Sequence, residues 1–216
     1  MIFSTEIPVV DFDKRKCSDI AGQQKSFASM DLFSGCGGLT EGFRMAGIKS
    51  IFATDIDENC EKTFTRNFPE TPFLCKDITE ITKEEVDNHT NGVLPDLIIG
   101  GPPCQGFSLA NKRRNKIKDD PRNKLFYGFV KFIDWYSPKA FVMENVKGLL
   151  SMQKGEVIKT IVNEFSKAGQ YGYNVAYKVL MASDYGVPQN RERVILIGFR
   201  KDLNIEPHHP EPYQQD

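Results

Sequence analysis

The chain has 216 residues, of which 40% are hydrophobic and 26% charged, with a formal net charge of −1. That is enough for one self-supporting domain without staples, and it leaves any nucleic-acid-binding surface to local clusters of charge. Five cysteines (Cys17, Cys36, Cys60, Cys75, Cys104) with no CxxC pair argue against a disulfide framework or a zinc site and for free thiols in a reducing compartment. No apolar run approaches the roughly 18 residues of a membrane span, and residues 1–10 lack a basic segment followed by an apolar one. A cytoplasmic protein without metal or membrane attachment is expected.

Residues 1–25 are mixed and weakly patterned and read as an N-terminal extension. From Ser26 strand-like and helix-like units alternate. Phe27 to Phe33 is a short apolar strand running into glycines. Leu39, Phe43 and Ala46 recur at helical spacing, with Gly47 placed to end the helix. Lys49 to Thr54 reads as a strand, Glu58 to Phe68 as a helix stopped by Pro69, and Phe73 to Cys75 and Asp96 to Ile99 as two further strands. A polar, basic loop spans Gly100 to about Asn123. Helical spacing resumes with Leu125, Phe126, Phe129, Val130 and Ile133, followed by a strand from Ala140 to Met143. Val157, Ile158, Ile161, Val162 and Phe165 share one helix face, closed by Gly169. Tyr173 to Met181 and Arg193 to Phe199 are two last strands with no helix between them.

Strands alternating with helices predict an α/β fold, a mostly parallel sheet covered on both faces. The final two strands should pair antiparallel at an edge. Residues 26–200 would form the domain, and 201–216, rich in Pro, His, Glu and Gln, a tail or the start of a linker.

Asp31-Leu32-Phe33-Ser34-Gly35-Cys36-Gly37-Gly38 joins the first strand to the first helix. Ligands of open α/β sheets sit at the carboxyl ends of strands, where such turns lie, and glycines let a ligand approach the backbone. Taken alone the cluster is equally an ordinary tight turn. Asp55, at the end of the second strand, could accept ribose hydroxyls, a device shared with NAD proteins. Asp77 follows the third strand on the same rim, where a plain turn or cap residue is an equal reading.

The segment Asp96 to Ser108 is more informative. A buried strand opens into Gly100-Gly101-Pro102-Pro103 and then Cys104. Two prolines stiffen the backbone ahead of the cysteine, a costly placement unless its position matters. A reactive cysteine attacks as thiolate and needs an electropositive setting, and Lys112, Arg113, Arg114, Lys116 and Lys118 follow. The other four cysteines read as ordinary free thiols.

Pro103-Cys104-Gln105, the turn from Phe33 to Gly38, Glu144-Asn145-Val146 and Gln189-Asn190-Arg191-Glu192-Arg193 are spread along the chain. Together they resemble the cytosine-C5 DNA methyltransferase family, in family order and over roughly residues 26 to 200, with the Rossmann-like fold of S-adenosylmethionine-dependent methyltransferases. The resemblance implies a restriction-modification setting and methyl transfer to C5 of cytosine through a covalent Cys104–C6 adduct. It implies that Glu144 contacts N3 and the exocyclic amine, that Asn145 holds its own loop and the Cys104 backbone, that Arg191 orients Glu144, and that Arg193 contacts the cytosine carbonyl. A surface ion pair with Glu192 is the competing reading of both arginines.

For S-adenosylmethionine the resemblance implies Phe33, Ser34, Gly35, Cys36, Gly37 and Gly38 near the methionine and adenosine, Asp55 on ribose, and Ile56 on adenine. Asp77 and Ile78 would meet the adenine edge, and Pro103 and Leu125 the pocket wall. The partner is double-stranded DNA with the target base flipped out. Gln105, Ser108, Lys112, Arg113 and Arg114 would meet it, mainly through phosphates, which position without specifying sequence. Complete family members continue into a target-recognition region and a C-terminal helix that closes the cofactor pocket. The expectation is therefore a truncation, a split subunit needing a second chain, or a remnant, with weak cofactor binding and little methylation alone. Three rival functions are a tRNA cytosine-C5 methyltransferase, a non-catalytic partner, and an NAD oxidoreductase, the last of which leaves Pro103-Cys104-Gln105 unexplained.

Overall fold

A computed structural model describes residues 26–103 and 123–213. Among them a seven-stranded sheet is built from β1 (Ala28–Leu32), β2 (Lys49–Asp55), β3 (Phe73–Cys75), β4 (Leu97–Gly100), β5 (Ala140–Val146), β6 (Tyr173–Met181) and β7 (Glu192–Arg200), in the order β3-β2-β1-β4-β5-β7-β6. β3, β2, β1, β4 and β5 are mutually parallel, and β7 runs antiparallel to both β5 and β6. The expected antiparallel edge is present. Its last strand is not the outermost, because β7 inserts between β5 and β6.

The helices are α1 (Gly38–Met45), α2 (Glu58–Asn67), α3 (Lys83–Thr90), α4 (Lys124–Tyr136) and α5 (Glu156–Phe165). β1 and β4 are buried along their whole length, as strands covered on both faces must be. Phe126, Phe129, Phe132 and Ile133 of α4 and Ile158, Ile161 and Phe165 of α5 pack on Phe141, Met143, Val194 and Leu196 in one core. The Phe141 and Phe165 rings lie 4.2 Å apart. A smaller cluster of Ala53, Phe64 and Phe68 joins β2 to α2.

Hydrophobic spacing does not reveal α3, because only Val86 and Thr90 of its eight residues are buried. It is set by its ends: Thr82 and Glu85 form a reciprocal capping box, a signal that the Thr-x-x-Glu spacing does carry. β5 extends three residues past the expected Met143, so Glu144 and Asn145 stand on a strand rather than a loop. Among the described residues after Arg200 the chain has no regular structure beyond a short 3₁₀ turn at Lys201–Leu203, yet His209 Nε2 lies 2.8 Å from the Ile195 carbonyl of β7. The Tyr213 amide donates to the Asp184 carbonyl at 2.9 Å, and the Tyr185 hydroxyl donates to the Pro210 carbonyl at 3.0 Å.

The switch in strand order falls between β1 and β4, whose ends are level, with Leu32 paired to Gly100. A Cβ on Gly100 would collide with the Leu32 carbonyl. The glycine turn after β1 and the loop after β4 therefore leave the sheet side by side, at the crevice where open α/β sheets bind ligands.

Candidate active site

At the glycine turn Phe33 has φ 58°, Gly35 53° and Gly37 91°, values that suit glycine and strain other residues. Gly37 is pressed against Phe64 of α2 and Phe68 just past its end, where no side chain fits. Around Gly35 and Gly38 the space a Cβ would fill is open. The Ser34 amide donates to the Thr54 carbonyl, and the Gly35 amide to Asp55 Oδ2 at 2.9 Å. Asp55 Oδ1 takes the Asp57 amide at 3.1 Å. Asp55 thus anchors the turn to β2, and each of its oxygens has a further lone pair that could accept a hydroxyl. Ile56 beside it is 67% exposed, a bare apolar surface suited to a flat ring.

Sequence reasoning assigned no role to Asp31, at the end of β1. Its carboxyl is fully buried, with Oδ2 accepting from the Thr40 amide at 3.2 Å and the Thr40 hydroxyl at 2.6 Å. Oδ1 finds no partner among the described residues. Burial pushes its pKa up to about 7 against the lowering by the Thr40 bonds, and nearby Asp55 adds to the rise. Open space over Gly35 and Gly38, spare acceptors on Asp55 and exposed Ile56 fit an adenosine-bearing, positively charged cofactor.

Three expected cofactor residues stand differently. Ile78 is buried in the main core, its side chain packed against Gly128 of α4 rather than turned to the rim. Its backbone, not its side chain, is what could meet an adenine edge; the Ile78 and Ile81 carbonyls accept from Lys131 Nζ at 2.8 and 2.9 Å. Asp77 Oδ1 accepts from the Thr79 amide and hydroxyl, both at 2.8 Å, and closes a local turn. Leu125 is half-buried in the first turn of α4, packed on the core, while Pro103 is exposed.

Cys36 is exposed on the glycine turn and Cys60 lies on α2. Burial, then Asp55 and Asp57, push the Cys60 thiol up to about 11. Cys104, Gln105, Ser108, Lys112, Arg113 and Arg114 lie outside the described residues, and the backbone leading to Cys104 ends the description at Pro103.

That backbone is gripped from β5. Asn145, 5% exposed, donates from Nδ2 to the Pro102 carbonyl at 2.9 Å. Its Oδ1 accepts the Val146 amide at 2.9 Å. Successive β5 side chains alternate between sheet faces, so Glu144 turns the other way, and its Oε2 comes within 3.2 Å of where a Cβ on Gly101 would stand. The Glu144 carboxylate thus stands against a residue three positions before Cys104 and belongs to the same crevice.

The expected division of the arginines is corrected. Arg193, not Arg191, holds Glu144, with Nε to Oε1 at 2.7 Å. Register decides this. Glu144 pairs with Ile195 across β5 and β7, making Arg193 its diagonal neighbour on one face. Arg191 precedes β7, its carbonyl accepting from the Ala182 amide and its amide donating to the Gln189 carbonyl. It lines an open groove of about 470 Å³ with Val146, Lys147, Gly148, Gln189, Asn190, Glu192 and Arg193. The Glu192 carboxylate pairs with neither arginine. Lys147 holds both of its oxygens, at 2.7 and 2.8 Å.

Among the described residues no cluster of three His, Cys, Asp or Glu side chains could hold a metal ion, and no helix is long and apolar enough to cross a membrane.

A parallel sheet with one antiparallel strand inserted next to last, a glycine turn at the switch point, and a carboxylate held by arginine beside a Pro-Pro-Cys loop define a methyltransferase of the Rossmann-like kind. The model of the C-5 cytosine-specific DNA methylase family matches residues 27–216, and the chain belongs to that family. Its members and structural neighbours are S-adenosylmethionine-dependent methyltransferases. The chain is 47% identical over 176 residues to the Type II methyltransferase M.DdeI of Desulfomicrobium norvegicum, covering 80% of this chain and 40% of that protein. It is 44% identical over 190 residues to the Type II methyltransferase M.AquIA of a Picosynechococcus strain, covering 85% and 75%. A prophage-encoded E. coli protein described as a DNA modification methyltransferase superposes with a TM-score of 0.71 at 33% identity, over 85% of this chain and 49% of that one. The chain thus spans less than half of M.DdeI.

Proposed function

We propose that the protein to which this chain belongs transfers a methyl group from S-adenosylmethionine to C5 of cytosine in double-stranded DNA, in a restriction-modification setting like that of Type II methyltransferases. Residues 26–200 form its catalytic domain. The observation that carries the reading is the convergence of two β5 side chains on the loop before Cys104. Asn145 holds the Pro102 carbonyl, and Glu144, fixed by Arg193, stands against Gly101.

The ring carbon C5 is a poor nucleophile until the C5–C6 double bond is broken. The Cys104 thiolate adds to C6 of a flipped base, and electron density moves onto C5. Glu144, within reach of N3 and the exocyclic amine, stabilises the charge that develops on the ring, and Arg193 keeps that carboxylate aimed. The bound S-adenosylmethionine supplies an electrophilic methyl group. Loss of the C5 proton to a base then re-forms the double bond and expels the thiolate. Gly35 and Gly38 admit the cofactor's backbone-facing side, Asp55 accepts from its ribose, and Ile56 covers its adenine. Arg191, free of Glu144, lines the groove through which the base or its flanking phosphate passes, and Lys112, Arg113 and Arg114 draw in the duplex.

The test is a covalent trap. A pool of random duplexes carrying 5-fluorocytosine is incubated with the purified chain and S-adenosylmethionine, because fluorine blocks the loss that frees the enzyme. A denaturation-resistant complex, slow to form and low in yield for the chain alone and absent from Cys104→Ser, is expected. A complex that persists in Cys104→Ser refutes the nucleophile. Trapping on tRNA carrying the same base, but not on DNA, reassigns the substrate. A chain that binds both cofactor and DNA yet forms no adduct refutes the covalent reading.

A further inference from the structure

Two cysteines that the proposed chemistry does not use meet at the cofactor crevice. Cys36 sits in the glycine turn, and Cys60 is the third residue of α2. The turn is fastened to the segment carrying Cys60 at two points. The Gly35 amide donates to Asp55 Oδ2 at 2.9 Å, at the end of β2 just before α2. Gly37 abuts Phe64, where an added Cβ would stand 3.0 Å from the ring. Cys36 lies between these anchors on the turn. Cys60 lies between Asp55 and Phe64, one helical turn ahead of Phe64 on the same face of α2. The two side chains are accordingly neighbours, and the Cys36 side chain is a hydrogen-bonding partner of the Cys60 thiol. Cys36 is exposed and Cys60 half-buried, so one thiol is open to solvent and the other stands behind it. Cys75 borders the same rim but is engaged elsewhere, its Sγ 3.7 Å from the Ile56 carbonyl and its thiol bonded toward Glu61.

We propose that Cys36 and Cys60 form a modification site, a dithiol that a small-molecule disulfide oxidises to a disulfide bridge across the glycine turn. Resting on the function proposed above, the bridge also weakens S-adenosylmethionine binding. With glutathione disulfide as oxidant, the Cys36 thiolate attacks one glutathione sulfur, forming a mixed disulfide and expelling one glutathione thiolate. The Cys60 thiolate then attacks the Cys36 sulfur and expels the second. Two protein thiols are oxidised, one glutathione disulfide is reduced to two glutathiones, and two protons are released to them. Burial, then Asp55 and Asp57, hold the Cys60 thiol up at about 11, so the exposed Cys36 reacts first and Cys60 closes the bridge in a slower step. The bridge ties Cys36 to α2 and fixes the backbone from Gly35 to Gly38, the surface against which the cofactor must seat.

The test is a peptide map. The purified chain is incubated with glutathione disulfide, its remaining thiols are blocked, and it is digested with trypsin without reduction. Residues 26–44 and 50–62 are separate tryptic peptides that carry Cys36 and Cys60 respectively. A species joining them, lighter than their sum by two hydrogens, is expected. It should be absent from Cys60→Ser, in which Cys36 retains glutathione, and unchanged in Cys75→Ser. Cys36 bridged instead to Cys17, Cys75 or Cys104, or bearing only glutathione at the end of the reaction, overturns the inference. Calorimetric titration with S-adenosylmethionine should show the bridged chain binding about ten-fold or more weakly than the reduced one, with recovery in dithiothreitol. A bridged chain that binds as tightly as the reduced chain overturns the effect on the cofactor. A reduced chain that binds no S-adenosylmethionine, with the bridge found, refutes the proposed function and the cofactor effect together and leaves the dithiol site standing.

Discussion

Asp31→Asn isolates the cost of a buried charge. The Asp31 pKa rises from 3.8 to about 7 because burial opposes ionisation. Below the unfolded value both states hold the proton and the group is neutral to stability. Between the two values the folded chain keeps a proton that the unfolded chain has lost, so stability falls as pH rises, and above the folded value the loss is complete. A rise of that size corresponds to ~4 kcal/mol in full, of which ~2.7 kcal/mol falls between about pH 5 and pH 8. Asparagine keeps an oxygen for the Thr40 amide and hydroxyl but carries no charge. Its amide hydrogens would face the position of Oδ1, where no partner is found among the described residues, at a pH-independent cost of about 1–3 kcal/mol. The absolute effect of Asp31→Asn is therefore a balance, while its pH dependence is not. Urea unfolding followed by the single tryptophan, Trp135, should show wild type losing ~2–3 kcal/mol relative to Asp31→Asn from about pH 5 to pH 8. A difference between the two proteins that stays flat with pH would refute the buried-charge argument.

Gly38→Ala should fold normally, since nothing lies where its Cβ would go, yet weaken S-adenosylmethionine binding at least about ten-fold by calorimetry if the turn cradles the cofactor. Gly100→Ala should do the reverse, because its Cβ meets the Leu32 backbone carbonyl, and lose about 3 kcal/mol or more in the unfolding assay. Asn145→Ala removes the donor to Pro102 and leaves that buried carbonyl unpaired, costing about 1–3 kcal/mol and slowing the covalent trap beyond what the lower stability explains. Exposed Cys36 should alkylate faster at neutral pH than Cys60, whose thiol sits at about 11, and S-adenosylmethionine should protect Cys36 if it occupies the glycine turn.

The position of the site between the glycine turn and the proline-rich loop follows from how parallel sheets are wound. β1 and β4 lie side by side although far apart in sequence, because the chain first builds outward through β2 and β3 and then returns across β1. Turn and loop must then emerge together at the same end of the sheet. The β7 insertion adds the second half of the chemistry, since only an antiparallel neighbour of β5 could bring Arg193 from the far end of the chain alongside Glu144.

What the sequence determined by itself was local: alternation of strands and helices, the glycine turn, the stiff Pro102-Pro103 approach, and the residue types offered at each strand end. These are set by periodicity and backbone preference within a few residues. Only the tertiary structure decided which arginine reaches Glu144, that Ile78 turns into the core, and that Lys147 holds Glu192. Each of these depends on strand register or on packing against a distant element, and a shift of one residue in register would exchange the faces of every side chain on the strand. No local pattern in residues 189–193 distinguishes Arg191 from Arg193; pairing with β5 does.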